Sequence, residues 1–503
     1  MTQVDDEFAV GAMQDAQVFG GVVLICALVA LGAVWSSRIS IWLRVPAPVI
    51  FLVVAAATAD LVPGLNGPNG LSIEVVQRLA TVALAIILFD GGIHIGWRRF
   101  RSALSAVLWL GVVGTFLTAA LLAGVVHWWV GLAWFPALLL ATALAPTDPA
   151  VVFSVLGGSE VSGRSDDILK GESGVNDPVG IALVIGLLDI ATNNGSSVAI
   201  AEDFALQMAV GLAVGVIGGL ALGRAMRDLM LPDSALYPLL TLSAAGIVYG
   251  LASVLHGSGF LAVFVTGVLI ADLRAPYKAE IEHFHKALAS LGEIVVFVAL
   301  GLTIDLGSLD LRSVWLDGLA VAVLLTFVAR PLVVTALLAR ARLTRGEKVF
   351  IAWAGMRGAV PILLAAFTLL EGVDHAHRIY GIVFVVVMFS VVVQGSLVPT
   401  VAGRVGLQMR QIHQEPWDLS VRLRDEPQEV GRYVVAAGSP ADGVALRDLV
   451  LGERAWISLI MRDGAARQAR GDSVLRAGDE VLVLGTSAHA QAVFEGGSRT
   501  VDA

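Results

Sequence analysis

The stretch Ile168-Leu-Lys-Gly-Glu-Ser-Gly-Val-Asn-Asp-Pro-Val-Gly-Ile-Ala-Leu-Val184 opens an apolar segment long enough to cross a bilayer, yet it carries Glu172, Ser173, Asn176 and Asp177 in its first turns. On a helix Glu172 and Asn176 stand four residues apart, as do Ser173 and Asp177, so two polar pairs share one side. Such a set, held at membrane depth, is a cation site in outline.

The rest of the chain fits that setting. Of its 503 residues 57% are hydrophobic and 15% charged, with a mean hydropathy of +0.81. A soluble globule stays nearer ~45–50% apolar, so the composition reads as a polytopic membrane protein. The net charge of −9 sits mainly in loops and in the last hundred residues, and no basic patch suggests nucleic acid. Cys26 is the sole cysteine, which excludes an intrachain disulfide and a cysteine metal cluster. The acidic N-terminus (Asp5, Asp6, Glu7, Asp15) lacks the basic flank of a cleavable signal, so the first apolar run is expected to be a retained helix.

Apolar segments recur near 18–36, 47–63, 76–95, 103–127, 132–156, 168–191, 204–230, 235–255, 259–273, 287–304, 313–339, 347–370 and 378–403. About 20 residues cross the hydrocarbon, so thirteen transmembrane helices are expected. Connections after odd-numbered helices hold seventeen Lys and Arg, whereas the even-numbered ones hold only Arg78, Arg312 and Arg378. Cytoplasmic connections collect basic residues, which puts the N-terminus outside and the C-terminus in the cytoplasm.

Two helices look broken. Ala145-Pro-Thr-Asp-Pro149 interrupts the fifth, and Asp148 before Pro149 reads as the N-cap of a new half-helix. Gly355-Met-Arg-Gly-Ala-Val-Pro361 interrupts the twelfth. Seven helices separate the two, an odd offset, so they cross in opposite directions. Paired broken helices in inverted repeats point to a secondary transporter with its site at the midplane.

Six ionisable residues fall inside apolar segments: Asp90, Asp148, Glu172, Asp177, Arg330 and Arg357. Each opposes insertion by ~2.5–3.5 kcal/mol unless it is paired or hydrated. Four acids and two bases leave two carboxylates free even after two salt bridges. Glu172 fits a structural pair with Arg357 or Arg330; Asp90 reads as a gate, a proton relay or a helix-end polar group. Glu293 and Asp189, nearer the expected helix ends, read as solvated, and His256 as a turn residue. Desolvation disfavours a bare carboxylate, so proton and alkali cation can compete for one group, and neutralising it with either lets the site move. Thr147, Ser173, Asn176 and freed carbonyls would supply hard oxygen ligands. Asp148 and Arg357 would balance the facing half-helix ends.

After Gly406 the character changes. Residues 406–429 read as a polar linker containing Pro427, and 430–497 as a small cytoplasmic α/β domain. Its strands are expected at 432–436, 455–461 and 480–484, with helices near 443–450 and 487–495 and turns at Gly438-Ser-Pro440, Asp463-Gly464 and Ala477-Gly-Asp479.

On these residues the chain resembles a known family. Gly171-Glu-Ser-Gly-Val-Asn-Asp-Pro178 is similar to the Asn-Asp signature of monovalent cation/proton antiporters of the sodium/proton exchanger type. Thr147-Asp148 between prolines is similar to that family's unwound fifth-helix motif, and Gly355-Met-Arg-Gly358 to its second break. The resemblance spans about 15–405. The tail, with Gly471-Asp-Ser-Val-Leu-Arg-Ala-Gly-Asp479, resembles the C-terminal half of the potassium-conductance-regulator domain. Together they look like the bacterial potassium/proton, or cell-volume-regulation, antiporters.

The resemblance implies a homodimer in the cytoplasmic membrane, each thirteen-helix protomer pairing a dimer bundle with a moving core. It implies Asp177 as carrier of cation and proton, with Thr147, Asp148 and Ser173 around it. Asn176 would be a structural neighbour and Glu172 an arginine's partner. Asn176, where electrogenic relatives have a second Asp, implies electroneutral exchange of K+ or Na+ for H+. The tail lacks a Gly-x-Gly-x-x-Gly half, so NAD and ATP are not implied; a nucleotide second messenger or dimerisation stays open there.

Two rival classes fit less well. A gated cation channel with a regulatory tail would need a pore loop of the Thr-Val-Gly-Tyr-Gly kind, which the sequence lacks. An intramembrane hydrolase would need an activated Ser173, or a Gly-x-Gly-Asp motif beside Asp148 or Asp177, and neither is present. No enzyme and no cofactor are expected.

Overall fold

The computed structural model describes residues 46–61, 72–149, 159–161, 164–193, 197–229, 231–273, 277–304, 306–407, 409–411, 430–449, 456–462 and 465–484, with isolated positions besides. The chain divides into two compact units, Met1–His413 and Gln414–Ala503.

The first unit is a helical bundle. Its helices are α1 (Ala47–Leu61), α2 (Ile73–Ile95), α3 (Trp97–Val130), α4 (Trp134–Ala143), α5 (Arg164–Asn193), α6 (Ser197–Asp228) and α7 (Leu236–Val254). There follow α8 (Gly259–Ala271), α9 (Lys278–Leu302), α10 (Arg312–Leu337), α11 (Arg345–Ala354), α12 (Ala359–Leu370) and α13 (Ala376–Arg404). Among the described residues seven stretches are individually long and apolar enough to cross a bilayer, one of them being α11, the break and α12 taken together. Twelve of the thirteen expected segments contain helix; the first, 18–36, falls almost wholly outside the described residues.

Both expected breaks bear on the described chain. Helix α4 stops at Ala143 and the backbone is non-helical through Pro146-Thr-Asp148; the second half of that segment lies outside the described residues except for Val152. Residues 355–358 separate α11 from α12.

Two boundaries differ from expectation for a stated reason. Helix α9 begins at Lys278 rather than near 287, because Lys278–His285 is charged and escapes an apolar count. That extra length is nonetheless amphipathic: Ile281 and His285 are buried, and Lys278 pairs with Glu282 one turn on at 3.6 Å. Helix α5 likewise starts at Arg164, with Asp166 and Asp167 in its first turn, where the helix dipole favours acids. A small β pair was not expected in this unit. Strand β1 (Ser159–Val161) runs antiparallel to β2 (Met409–Gln411), so the unit extends past 405 into the stretch read as linker.

Helices pack closely through small residues, as membrane interfaces allow. A Cβ built on Gly92 would lie 2.5 Å from the Phe264 carbonyl oxygen, and one on Gly267 would lie 2.5 Å from that of Phe89. Helices α2 and α8 therefore touch backbone to backbone. The large apolar side chains left exposed on α6 and α7, such as Ile217 and Ile247, suit contact with lipid.

The second unit contains a four-stranded antiparallel sheet in the order β3 (Val430–Val434), β6 (Glu480–Leu484), β4 (Trp456–Arg462), β5 (Ala465–Gln468). The three expected strands are present, and β4 joins β5 across Asp463-Gly464 with Arg462 opposite Ala465. Val435, Ile460, Leu475, Val481, Val483 and Phe494 form its core. The helix expected at 443–450 is instead an extended turn with one tight turn at Leu446–Asp448. Ala445 bridges Val474 and the Leu446 N–H donates to the Ser473 carbonyl, so cross-chain pairing wins over local helix. The helix expected at 487–495 lies outside the described residues except for Val493 and Phe494, which are helical.

Asp479 fixes this sheet. Arg462 donates to both its carboxylate oxygens, at 2.7 and 2.6 Å, and the Arg476 amide donates at 2.8 Å. Burial pushes the carboxyl up, but Arg462 and the amide outweigh it and hold the group below the ordinary carboxylate range. Its stabilisation is therefore complete above the unfolded value near ~3.9 and is lost as pH falls through the lower folded value. Relative to Arg462→Met, the wild-type tail is expected to be more stable by about 1.5–3 kcal/mol at neutral pH. That advantage should shrink toward zero in acid, measured as the midpoint of the tail's own unfolding transition.

Candidate functional site

The two breaks meet. The Asp148 amide donates to the Met356 carbonyl at 2.7 Å, joining the non-helical stretch after α4 to the one between α11 and α12. Helix α5 passes beside them so tightly that a Cβ on Gly180 would fall 2.4 Å from the Pro146 ring. Pro178, inside α5, removes one helical hydrogen bond and loosens the backbone next to this crossing.

Each half-helix end at the crossing has a counter-charge. Arg357 Nε donates to the Leu144 carbonyl at the end of α4 at 3.0 Å, and its Nη1 donates to the Gly355 carbonyl at the end of α11. These are the ends where carbonyls lack partners and the dipole is negative. Asp148 takes the opposite role: a Cβ on Gly358, the residue preceding α12, would fall 1.8 Å from its Oδ2. Only glycine admits a carboxylate so close to that positive helix start. The Arg357 amide donates to Ser390 Oγ at 2.9 Å, and Ser390 donates to Gln394 Oε1 at 3.0 Å. Gln394 and Trp353 exchange two further hydrogen bonds, which ties the end of α11 to α13.

The expected residues of α5 face this crossing. Asn176 Nδ2 donates to Thr147 Oγ1 at 2.8 Å, so Asn176 links α5 to the first break. Ser173 hydrogen-bonds the Asp177 carboxylate, which is also close enough to Asp148 for the two charges to repel. Asp177 is only 4% exposed, and among the described residues no base pairs with it. Its Oδ1 and the Asn176 Oδ1 are buried without hydrogen-bond partners. Buried oxygens are seldom left so.

Glu172 is a different case. Arg330 grips it with two parallel hydrogen bonds, Nη1 to Oε1 at 2.5 Å and Nη2 to Oε2 at 2.8 Å, and both residues are at most 2% exposed. Of the two arginines open to Glu172, then, Arg330 is the partner, while Arg357 is committed to carbonyls. Asp90 stands apart: its polar contacts are with His94, one turn on, whose Nδ1 lies 3.2 Å from Asp90 Oδ1. Asp189 and His256 are exposed, in keeping with their reading as solvated and turn residues.

Sequence reasoning missed three things here. Glu293, read as solvated, lies in the middle of α9, with its Oε1 buried and without a hydrogen-bond partner. Starting α9 at its charged amphipathic turns would have revealed that depth. His285 is buried, with Nε2 2.8 Å from the Thr241 hydroxyl. Ser390 and Gln394, which anchor the second break, carried no signal of their own within an apolar run.

The chain is similar to known proteins. A family model for the transmembrane domain of sodium/hydrogen exchangers matches residues 24–403, and one for the TrkA-C domain matches residues 430–495. A K(+)/H(+) antiporter NhaP of Alkalimonas amylolytica is 32% identical over 92% of this chain and 80% of its own length. NhaP2 of Shewanella sp. strain ANA-3, also named a K(+)/H(+) antiporter, is 30% identical over 94% and 82%. The solved sodium proton antiporter MjNhaP1 of Methanocaldococcus jannaschii superposes with a TM-score of 0.65 at 22% identity, over 74% of this chain and 97% of that one. At that identity the likeness concerns the fold.

Proposed function

This chain belongs to the sodium/hydrogen exchanger family, and from that premise we propose that it exchanges an alkali cation for H+, one for one, by alternating access. The carrying observation is Asp177: a buried carboxylate with a free oxygen, hydroxyl and amide neighbours, and no base paired with it among the described residues. The two buried arginines among the described residues are otherwise engaged, Arg330 with Glu172 and Arg357 with helix-end carbonyls.

A bare carboxylate there is disfavoured, and either a proton or a cation relieves it. Asp177 and the hydroxyls of Thr147 and Ser173 are hard donors suited to K+ or Na+, with Asp148 adding negative potential. Competition for one charge gives exchange: the loaded site moves, the bare one does not. Asn176 is neutral and bonded to Thr147, which supports electroneutral turnover because Asp177 alone carries the exchanged charge. The relatives named K(+)/H(+) antiporters favour potassium.

The basic-residue bias supports an N-terminus outside and a C-terminus in the cytoplasm of a bacterial inner membrane. We place the protein there as a homodimer, with the TrkA-C tail as its regulatory domain, through a nucleotide second messenger or through dimerisation. An antiporter accounts for the closed, charge-balanced crossing better than a gated channel does.

In everted vesicles holding a pH gradient, K+ and Na+ are expected to dequench a gradient-sensitive dye, with Li+ as the comparison. A cation current that leaves the pH gradient untouched would replace this reading with the channel.

A further inference from the structure

The strand pair β1–β2 takes no part in the exchange scheme, yet it joins the two segments that carry the site. Its register sets Ser159 opposite Gln411, Glu160 opposite Arg410 and Val161 opposite Met409. Upstream of β1, residues 149–158 lead back to Asp148; downstream, residues 162–163 lead to Arg164, where α5 begins. Asp177 is the fourteenth residue of that helix, about 20 Å along it. Strand β1 is thus seated at the root of the helix that carries Asp177.

Strand β2 is held from the other half of the crossing. Helix α13 ends in a Schellman turn: Gly406 takes a φ of 69°, its amide donates to the Gly403 carbonyl at 3.3 Å, and the Leu407 amide donates to the Ala402 carbonyl at 3.2 Å. That turn is fixed against the start of α11, where a Cβ on Gly346 would fall 2.5 Å from the Val405 carbonyl oxygen. Helix α13 also carries Ser390 and Gln394, which hold the second break. Beyond β2, residues 412–429 separate it from β3 of the tail. Both strands follow odd-numbered apolar segments, the fifth and the thirteenth, and so lie on the side we assign to the cytoplasm.

A tail joined to α13 alone could act on one side of the crossing only. The strand pair gives it a second attachment, to α5. A ladder of three residue pairs is marginal in water by itself, so it can open and close, as a coupling element must.

We propose that the β1–β2 pair is a clasp through which the folded tail restrains the site. Closed, it fastens the root of α5 and the end of α13 to the tail; open, it leaves α5 free of the tail. A restraint fastened to a moving body slows its movement, so the clasp acts as a brake on exchange. The inference rests on the reading of the tail as a regulatory domain and says where that regulation enters.

The test uses full-length chains in everted vesicles and reads the maximal rate of cation-induced dequenching. Val481→Asp puts a charge at a position 1% exposed in the core of the tail and melts the tail. Met409→Pro together with Arg410→Pro opens the clasp, because successive amides of a strand point to opposite sides and one of the two must belong to the ladder. Each change is expected to raise the rate roughly threefold or more, and their combination should equal either alone. An effect of Val481→Asp that is equally large with the clasp opened would overturn the proposal and leave the regulatory tail standing. A wild-type rate in Val481→Asp, with the tail's own unfolding transition lost, would overturn the regulatory tail and the clasp with it. A fall in rate would overturn the brake.

A cysteine pair checks the clasp directly. In a Cys26→Ala background, Glu160→Cys with Arg410→Cys places two thiols at opposed positions. The Cα atoms of such positions lie about 4.5–5.5 Å apart in an antiparallel pair, within disulfide reach. Oxidation is expected to join them and lower the rate roughly threefold, and reductant should restore it. Failure to join, or a rate indifferent to joining, would overturn the proposal, and this arm decides it should the aspartate or proline variants not accumulate.

Discussion

Asp177→Asn should leave no cation-induced dequenching in vesicles where the wild type responds, although the protein accumulates and stays folded. The substitution is nearly isosteric and Ser173 can still bond the amide, so packing changes little. What disappears, on the proposed mechanism, is the single charge for which proton and cation compete. Losing a charged ligand and the only exchangeable charge removes at least about 3 kcal/mol of differential binding, roughly a hundredfold in rate, which is background in such an assay. Undiminished exchange in Asp177→Asn would take the carrier role from this residue.

The second large effect is on folding. Arg330→Met is expected to destabilise the membrane unit by about 3–5 kcal/mol, because Glu172 would be left charged and unpaired at 1% exposure. Replacing both members, as Glu172→Gln with Arg330→Met, should recover much of that loss, since no buried charge then remains. Thermal unfolding of the purified variants reads this directly. A single variant as stable as wild type would mean that the pair is solvated and not a structural clamp.

Much of this was legible in order along the chain. Composition and the lengths of apolar runs identify a membrane protein, and the described helices follow those runs because each must satisfy its own backbone in lipid. Pro146, Pro149, Gly355 and Gly358 mark the breaks because proline and glycine act on the backbone locally. The four-residue spacings of Glu172 with Asn176 and of Ser173 with Asp177 likewise follow from helical geometry alone.

Where sequence reasoning stopped short, the missing information was non-local or obscured by composition. The true start of α9 was hidden because its charged first turns resemble a loop, and that error alone took Glu293 for a solvated residue. The turn at 443–450 lost its expected helix to an isolated bridge between Ala445 and Val474, a contact that local propensity does not encode.

By itself, then, the sequence determined a membrane transporter with two interrupted helices and singled out Glu172 and Asp177 as buried carboxylates, since chain-local periodicity and the price of burying charge are both written residue by residue. Only the tertiary structure decided that Glu172 belongs to Arg330, 158 residues away, that Arg357 closes helix ends and that Asp148 rests on Gly358. It also decided that Glu293 lies inside α9 with its Oε1 buried and without a hydrogen-bond partner. Those pairings depend on how helices distant in sequence pack and at what height they cross, which the spacing within any one helix does not specify.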